Sequence, residues 1–239
     1  MIFTLLFMAA AAAVVAWWLA RNGWLAAKPW LETGAPGEVL DTGASPLPAA
    51  KIGLGVFLAV AGSLLVLLVS AYVMRMEMED WRPLPRPGLL WVNTGVLVLG
   101  SVALHRARAA AWRGEREALG SWLLAGGLAG VAFVLGQAVA WRQLAAAGYR
   151  PSTGPADSFF YLITAVHGLH VLGGLAALAR TGARLRQGGG AVTERLRLGV
   201  ELCATYWHFL LVAWIALFAL IAYSPSFAWL YAVCRAPFG

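Results

Sequence analysis

Six long apolar runs, with charge confined to the segments between them, decide what this 239-residue chain can fold into. They are Ile2–Ala20, Ile52–Met74, Leu89–Leu104, Leu119–Trp141, Phe159–Arg180 and Leu198–Tyr223. A helix needs roughly 20 predominantly apolar residues to cross a bilayer. In lipid, only helices and closed barrels satisfy every backbone donor and acceptor, and runs this long without alternation are helices. The third run is the shortest and is expected to extend beyond these ends. The chain therefore reads as an all-α integral membrane protein, a helical bundle of about six transmembrane helices. Composition agrees: 61% of residues are hydrophobic and 12% charged, where a soluble domain carries about a quarter charged.

The distribution of that charge gives an orientation. Segment 21–51 carries Arg21, Lys28 and Lys51. Segment 105–118 carries Arg106, Arg108, Arg113 and Arg116, and segment 180–198 carries Arg180, Arg184, Arg186, Arg195 and Arg197. These alternate loops hold most of the 18 basic residues. The positive-inside rule places them in the cytoplasm and both termini on the outer side. The net charge of +7 is then a property of loops facing anionic lipid, not a sign of nucleic-acid binding. The first run lacks a positive segment before it and is read as a retained helix rather than a signal peptide.

Three segments follow. Residues 1–20 form an amino-terminal transmembrane helix. Residues 21–50, with Pro29, Pro36, Pro46 and Pro48 among several glycines, form an irregular linker. Residues 51–239 form a five-helix membrane domain. The two cysteines, Cys203 and Cys234, have no CxxC or zinc spacing and read as free thiols. Trp17, Trp18, Trp24, Trp81, Trp91, Trp122, Trp141 and Trp229 fall near run ends, as in the aromatic belt of a membrane protein.

Polar groups at membrane depth are costly, so each is a candidate site. Thr164, His167 and His170 lie close to one face of the fifth run; Glu201, Thr205 and His208 lie on one face of the sixth. The economical arrangement packs these stripes together as a buried polar seam, with Gln137 joining it and Gly168, Gly173 and Gly174 allowing close approach. Two sharper readings stand beside it. Histidines three apart can chelate a metal, and His167 or His170 opposite His208 could hold a haem. Acids and histidines within spans also mark proton relays. No catalytic triad, phosphate loop or paired acid is visible, so no active site is expected on this chain.

The residues around these groups resemble subunit III of the haem–copper oxidases, the cytochrome c oxidase subunit III family. Tyr161-Leu-Ile-Thr-Ala-Val-His-Gly-Leu-His-Val-Leu-Gly173 resembles its penultimate helix, and Glu201-Leu-Cys-Ala-Thr-Tyr-Trp-His-Phe209 the start of its last. Lys51-Ile-Gly-Leu-Gly-Val-Phe-Leu-Ala59, Leu90-Trp-Val-Asn-Thr94 with Ser101-Val-Ala-Leu-His105, and Gly136-Gln-Ala138 are similar to its third, fourth and fifth helices. The resemblance covers about residues 51–223. The family usually has seven helices; here one helix precedes the five-helix core. The family's glutamate in the third helix falls at Ala61, the acid often following Gln-Ala at Ala140, and the acid two residues after His-Phe at Leu211.

The resemblance implies a non-catalytic accessory subunit of a terminal oxidase in a bacterial inner membrane. Haem and copper would belong to partner subunits I and II, with no cofactor on this chain. Its role would be to support the stability of the catalytic subunit and sustained proton uptake during oxygen reduction. Arg184 falls where the family has an arginine that meets lipid phosphate, which implies a phospholipid headgroup contact. The missing acids keep an accessory subunit of a nitric oxide reductase open as an alternative. A stand-alone haem-binding electron carrier is more remote, and a small transporter has no broken helix or inverted repeat to support it.

Overall fold

The structure, a computed structural model, describes residues 48–76, 78–82, 84–85, 88–187 and 191–223. The amino-terminal helix expected over residues 1–20 lies outside the described residues, as does nearly all of the 21–50 linker and the position of Cys234. The described residues form five helices: α1 Ala49–Arg75, α2 Leu89–Arg113, α3 Arg116–Ala146, α4 Pro155–Gln187 and α5 Glu194–Tyr223. All five are long and apolar enough to cross a membrane. The chain divides into two units, Met1–Phe57 and Leu58–Gly239. Of the first, the described part is Pro48 and the opening turns of α1.

The helices outrun the apolar runs that foretold them. α2, the short run Leu89–Leu104 that was expected to extend, continues to Arg113. Charge ends an apolar run but not a helix. Exposed Arg106, Arg108 and Arg113 extend the helix because long basic side chains lay their stems on apolar surface and reach outward with their heads. What ends α2 is Gly114, whose φ of 75° is left-handed. The Gly114 N–H returns to the Ala111 carbonyl (3.3 Å) and the Glu115 N–H to the Ala110 carbonyl (3.0 Å). That Schellman turn consumes carbonyls the helix end would otherwise orphan. Gly148, at φ 94°, closes α3 in the same way. With one turn joining them, α2 and α3 are antiparallel neighbours.

Within the second unit α2, α3, α4 and α5 close a ring: α2 packs on α3, α3 on α4, α4 on α5, and α5 back on α2. Lipid tails are as apolar as leucine, so close packing around small residues does the work that water expulsion does elsewhere. Gly100 of α2 and Gly126 of α3 face each other across their crossing, and Leu104 closes over Gly126. The part of α1 after Phe57 lies against α4 and α5: Tyr72, Ile163 and Leu217 form a small buried cluster, and Gly62 faces the Phe209 ring. Tyr72 meets Trp81 and Phe159 edge-on at 4.9 and 5.7 Å.

At the carboxyl-terminal end of α1, Arg75 clamps both carboxylate oxygens of Asp80 at 2.6 and 2.5 Å. Those hydrogen bonds hold the Asp80 carboxyl below its ordinary value. A depressed folded-state value means the pair contributes above the ordinary carboxylate range and is lost as pH falls through the folded value. Both groups are solvated, so the contribution is small. Asp80→Asn should lower thermal stability slightly at neutral pH and leave it unchanged in acid below the carboxylate range. A larger deficit in acid than at neutral pH would contradict this sign.

Candidate functional site

The centre of the ring is a single indole. Trp207 projects from α5 and is wholly buried. Gly100 of α2, Gly130 of α3 and Gly174 of α4 make room for it. A methyl group on Gly130 would stand 2.7 Å from Trp207 Cη2, one on Gly174 3.1 Å from Cζ3, and one on Gly100 3.2 Å from Nε1. Three helices thus give up their side chains so that a fourth can fill the middle. The indole N–H itself has no protein partner.

Two turns further along α5 lies Trp214, also wholly buried. Its ring meets Phe133 edge-on at 4.9 Å and lies 5.1 Å from the His167 imidazole, tilted by 34°. His167 in turn meets Phe133 at 5.6 Å. The sequence marked His167 as a candidate ligand or seam member; the structure sets it between two aromatic rings at 4% exposure. Its Nε2 has no protein partner. At the same level Asn93 lies against Gly136, where a methyl group would collide with its amide. Gln137 follows, with neither end of its amide paired within the protein.

Two hydrogen-bond chains tie this level together. Trp214 Nε1–H donates to Thr94 Oγ1 (2.9 Å), which donates to the Leu90 carbonyl (2.8 Å). Trp141 Nε1–H donates to Thr164 Oγ1 (3.0 Å), which donates to the Phe160 carbonyl (2.7 Å). In each, a threonine bonded back into its own helix accepts an indole N–H from a neighbour. One chain joins α5 to α2 and the other α3 to α4. Interhelical bonds of this kind contribute about 0.6–1.7 kcal/mol each in membranes.

The six residues expected as one seam between α4 and α5 are divided among different faces. Thr164 and His167 point into the bundle. His170 is half-buried; its Nδ1–H donates to the Val166 carbonyl (2.8 Å), and its own carbonyl accepts the Tyr206 hydroxyl (2.9 Å). Glu201 and His208 face α2: Glu201 pairs with Arg108 at 3.5 Å, and the His208 ring lies 6.0 Å from that of His105. Thr205 is exposed. The physical reason is the size of Trp207. It occupies the inward face of α5 and turns Glu201 and His208 to its flank. Gly174 receives Tyr206 as expected for close approach, Gly173 only reaches the Tyr206 hydroxyl at 4.0 Å, and Gly168 meets nothing.

This geometry does not bring His167 or His170 opposite His208 across a haem. A carbonyl can only accept, so Nδ1 carries the hydrogen in both His170 and His208, the latter bonded to the Ala204 carbonyl at 2.5 Å. Among the described residues no group of three or more His, Cys, Asp or Glu comes together. Cys203 is buried beside Thr181 Oγ1 at 3.5 Å. Arg184 is exposed on the last turns of α4. Ala140, where the resemblance expects an acid, is wholly buried in the apolar core. The residues that reasoning from sequence missed are Trp207, Trp214, Phe133 and Asn93. Trp207 sat inside a motif quoted for its histidine, and the glycines opposite were the signal that could have found it.

Comparison with known proteins follows the same stretch of chain. Residues 60–226 match the family model described as cytochrome c oxidase subunit III. A cytochrome c oxidase subunit 3 of Synechocystis sp. is 31% identical over 194 residues, 79% of this chain and 81% of that protein. A probable cytochrome c oxidase subunit 3 of Mycobacterium bovis is 37% identical over 145 residues, 59% and 70% of the two chains. One of Thermostichus vulcanus is 30% identical over 174 residues, 71% and 85%.

Proposed function

The chain belongs to the cytochrome c oxidase subunit III family, and from that premise we propose that it works as the accessory subunit III of a haem–copper oxidase, without a redox centre of its own. Haem and copper sit on partner subunits I and II. This chain stabilises the catalytic subunit and sustains its proton uptake during oxygen reduction. The observation that carries the reading is the use made of the mid-membrane histidine. His167 is enclosed by Phe133 and Trp214 in a packed core, which suits a structural part. The complex lies in a bacterial inner membrane with both termini of this chain on the outer side. Arg184, exposed near the end of α4, meets a lipid headgroup, and Thr164, His167, His170, Glu201, Thr205 and His208 serve packing and assembly.

The test is spectroscopic. The complex, purified through a tag on this chain, should show reduced-minus-oxidised haem bands and consume oxygen. The chain expressed alone should show none. His208→Leu should weaken co-purification of the partners without changing haem per complex. Haem on the isolated chain, or altered haem stoichiometry in His208→Leu, would sink the proposal. Consumption of nitric oxide instead of oxygen would reassign the complex.

A further inference from the structure

An open groove of about 650 Å³ runs along the outer face of α2 and α3. Its walls are apolar, with Val96, Leu99 and Val102 on one side and Ala125 and Leu128 on the other. At one end stands a single charge. The Arg106 guanidinium lies over the Trp122 ring at 5.1 Å from its centroid, an arrangement that fixes the cation at the mouth. Among the described residues, the ion pairs near this end engage Arg108 with Glu201 and Arg113 with Glu115, and none engages Arg106. The groove therefore offers an apolar track and one uncompensated positive charge.

The length of the track says what fits. Its lining runs from Arg106 to Val96 on α2 and from Trp122 to Ala132 on α3. At 1.5 Å per residue that is about 15 Å on each helix. Half of the ~30 Å hydrocarbon core, one leaflet, has the same thickness. A partner's transmembrane helix would need a track about twice as long, and an acid to meet Arg106. An acyl chain with a negative headgroup needs neither. We propose that this groove binds one chain of an anionic glycerophospholipid from the leaflet on the α2–α3 turn side, its phosphate paired with Arg106. The site is separate from Arg184, which lies on α4.

The intact complex, in detergent, is titrated with phosphatidylglycerol and with phosphatidylcholine, and retained lipids are counted by native mass spectrometry. The wild-type complex should retain phosphatidylglycerol at one site with a preference of about five-fold over phosphatidylcholine, the effect of one basic residue near a membrane surface. Arg106→Gln should erase the preference and Arg106→Lys keep most of it. Ala125→Leu, which fills the track and leaves the charge, should lower retention of both lipids. It carries the test should Arg106→Gln fail to assemble with its partners. Equal phosphatidylglycerol retention in wild type and Arg106→Gln would overturn the proposal. So would unchanged retention in Ala125→Leu, or a partner helix filling the groove in an electron-microscopy map of the complex.

Discussion

Gly130→Ala is expected to destabilise the protein by about 1–3 kcal/mol, the usual cost of forcing one extra methyl into a filled core. Gly130→Leu should prevent recovery of the folded protein altogether. A methyl group on Gly130 would stand 2.7 Å from Trp207 Cη2, 2.8 Å from Cζ2 and 2.9 Å from Leu175 Cδ2. The leucine end can rotate away. The indole has less freedom, because it is wholly buried and its other edges lie close to Gly100 and Gly174. The two crowded indole atoms belong to the six-membered ring of Trp207, the part that reaches farthest from the α5 backbone. Trp207→Phe shortens that reach. The pair should therefore be strongly coupled: Trp207→Phe alone leaves a cavity, yet in its presence Gly130→Ala should cost far less. A double-mutant cycle on thermal unfolding in detergent measures the coupling. Additive losses would mean the indole is free to move and that the three glycines do not hold it.

How much of this was legible in the sequence varies with the physics behind each feature. Helix existence was legible because lipid leaves the backbone no alternative, and five of the six runs correspond to described helices. Helix ends were not, because arginine is both the end of an apolar run and a good helical residue, as Arg106–Arg113 shows. The importance of Thr164 and His167 was legible because polar groups at membrane depth need a reason. Their partners were not. Periodicity puts Glu201, Thr205 and His208 on one face of α5, but it does not say which face points inward. That choice was made by Trp207 and Trp214, which share the inward face of the same helix and are far larger. A stripe rule that weighs polarity alone ranks a histidine above a tryptophan. In a bundle where packing supplies the stability, volume decides first. The glycines carried this information, but at Gly100 and Gly130 as well as at Gly174, and only the fold reveals that these three share one partner, Trp207.

The same ordering of volume over polarity sets the second large effect. Trp214→Ala is expected to cost about 3–5 kcal/mol, as for other buried aromatic truncations. It removes the ring that closes on Phe133, His167 and Phe218 and the indole that reaches Thr94. His167→Leu should behave very differently. Leucine is close to imidazole in volume, and the ring's Nε2 finds no protein partner. Replacing a buried, unpaired polar group by an apolar one of similar shape can be neutral or stabilising. The expected change is within about 1.5 kcal/mol, the range of volume-conserving core swaps. The contrast between the two variants separates the readings of this histidine. If His167 serves packing, the tryptophan variant unfolds at much lower temperature, the histidine variant does not, and the optical spectrum of the complex is unchanged in both. If His167 instead held a metal or a haem, the order would invert: His167→Leu would alter the spectrum and the cofactor content, and Trp214→Ala would do so only as far as it unfolded the chain. Thermal unfolding and absorption spectra of the two purified variants decide between these outcomes.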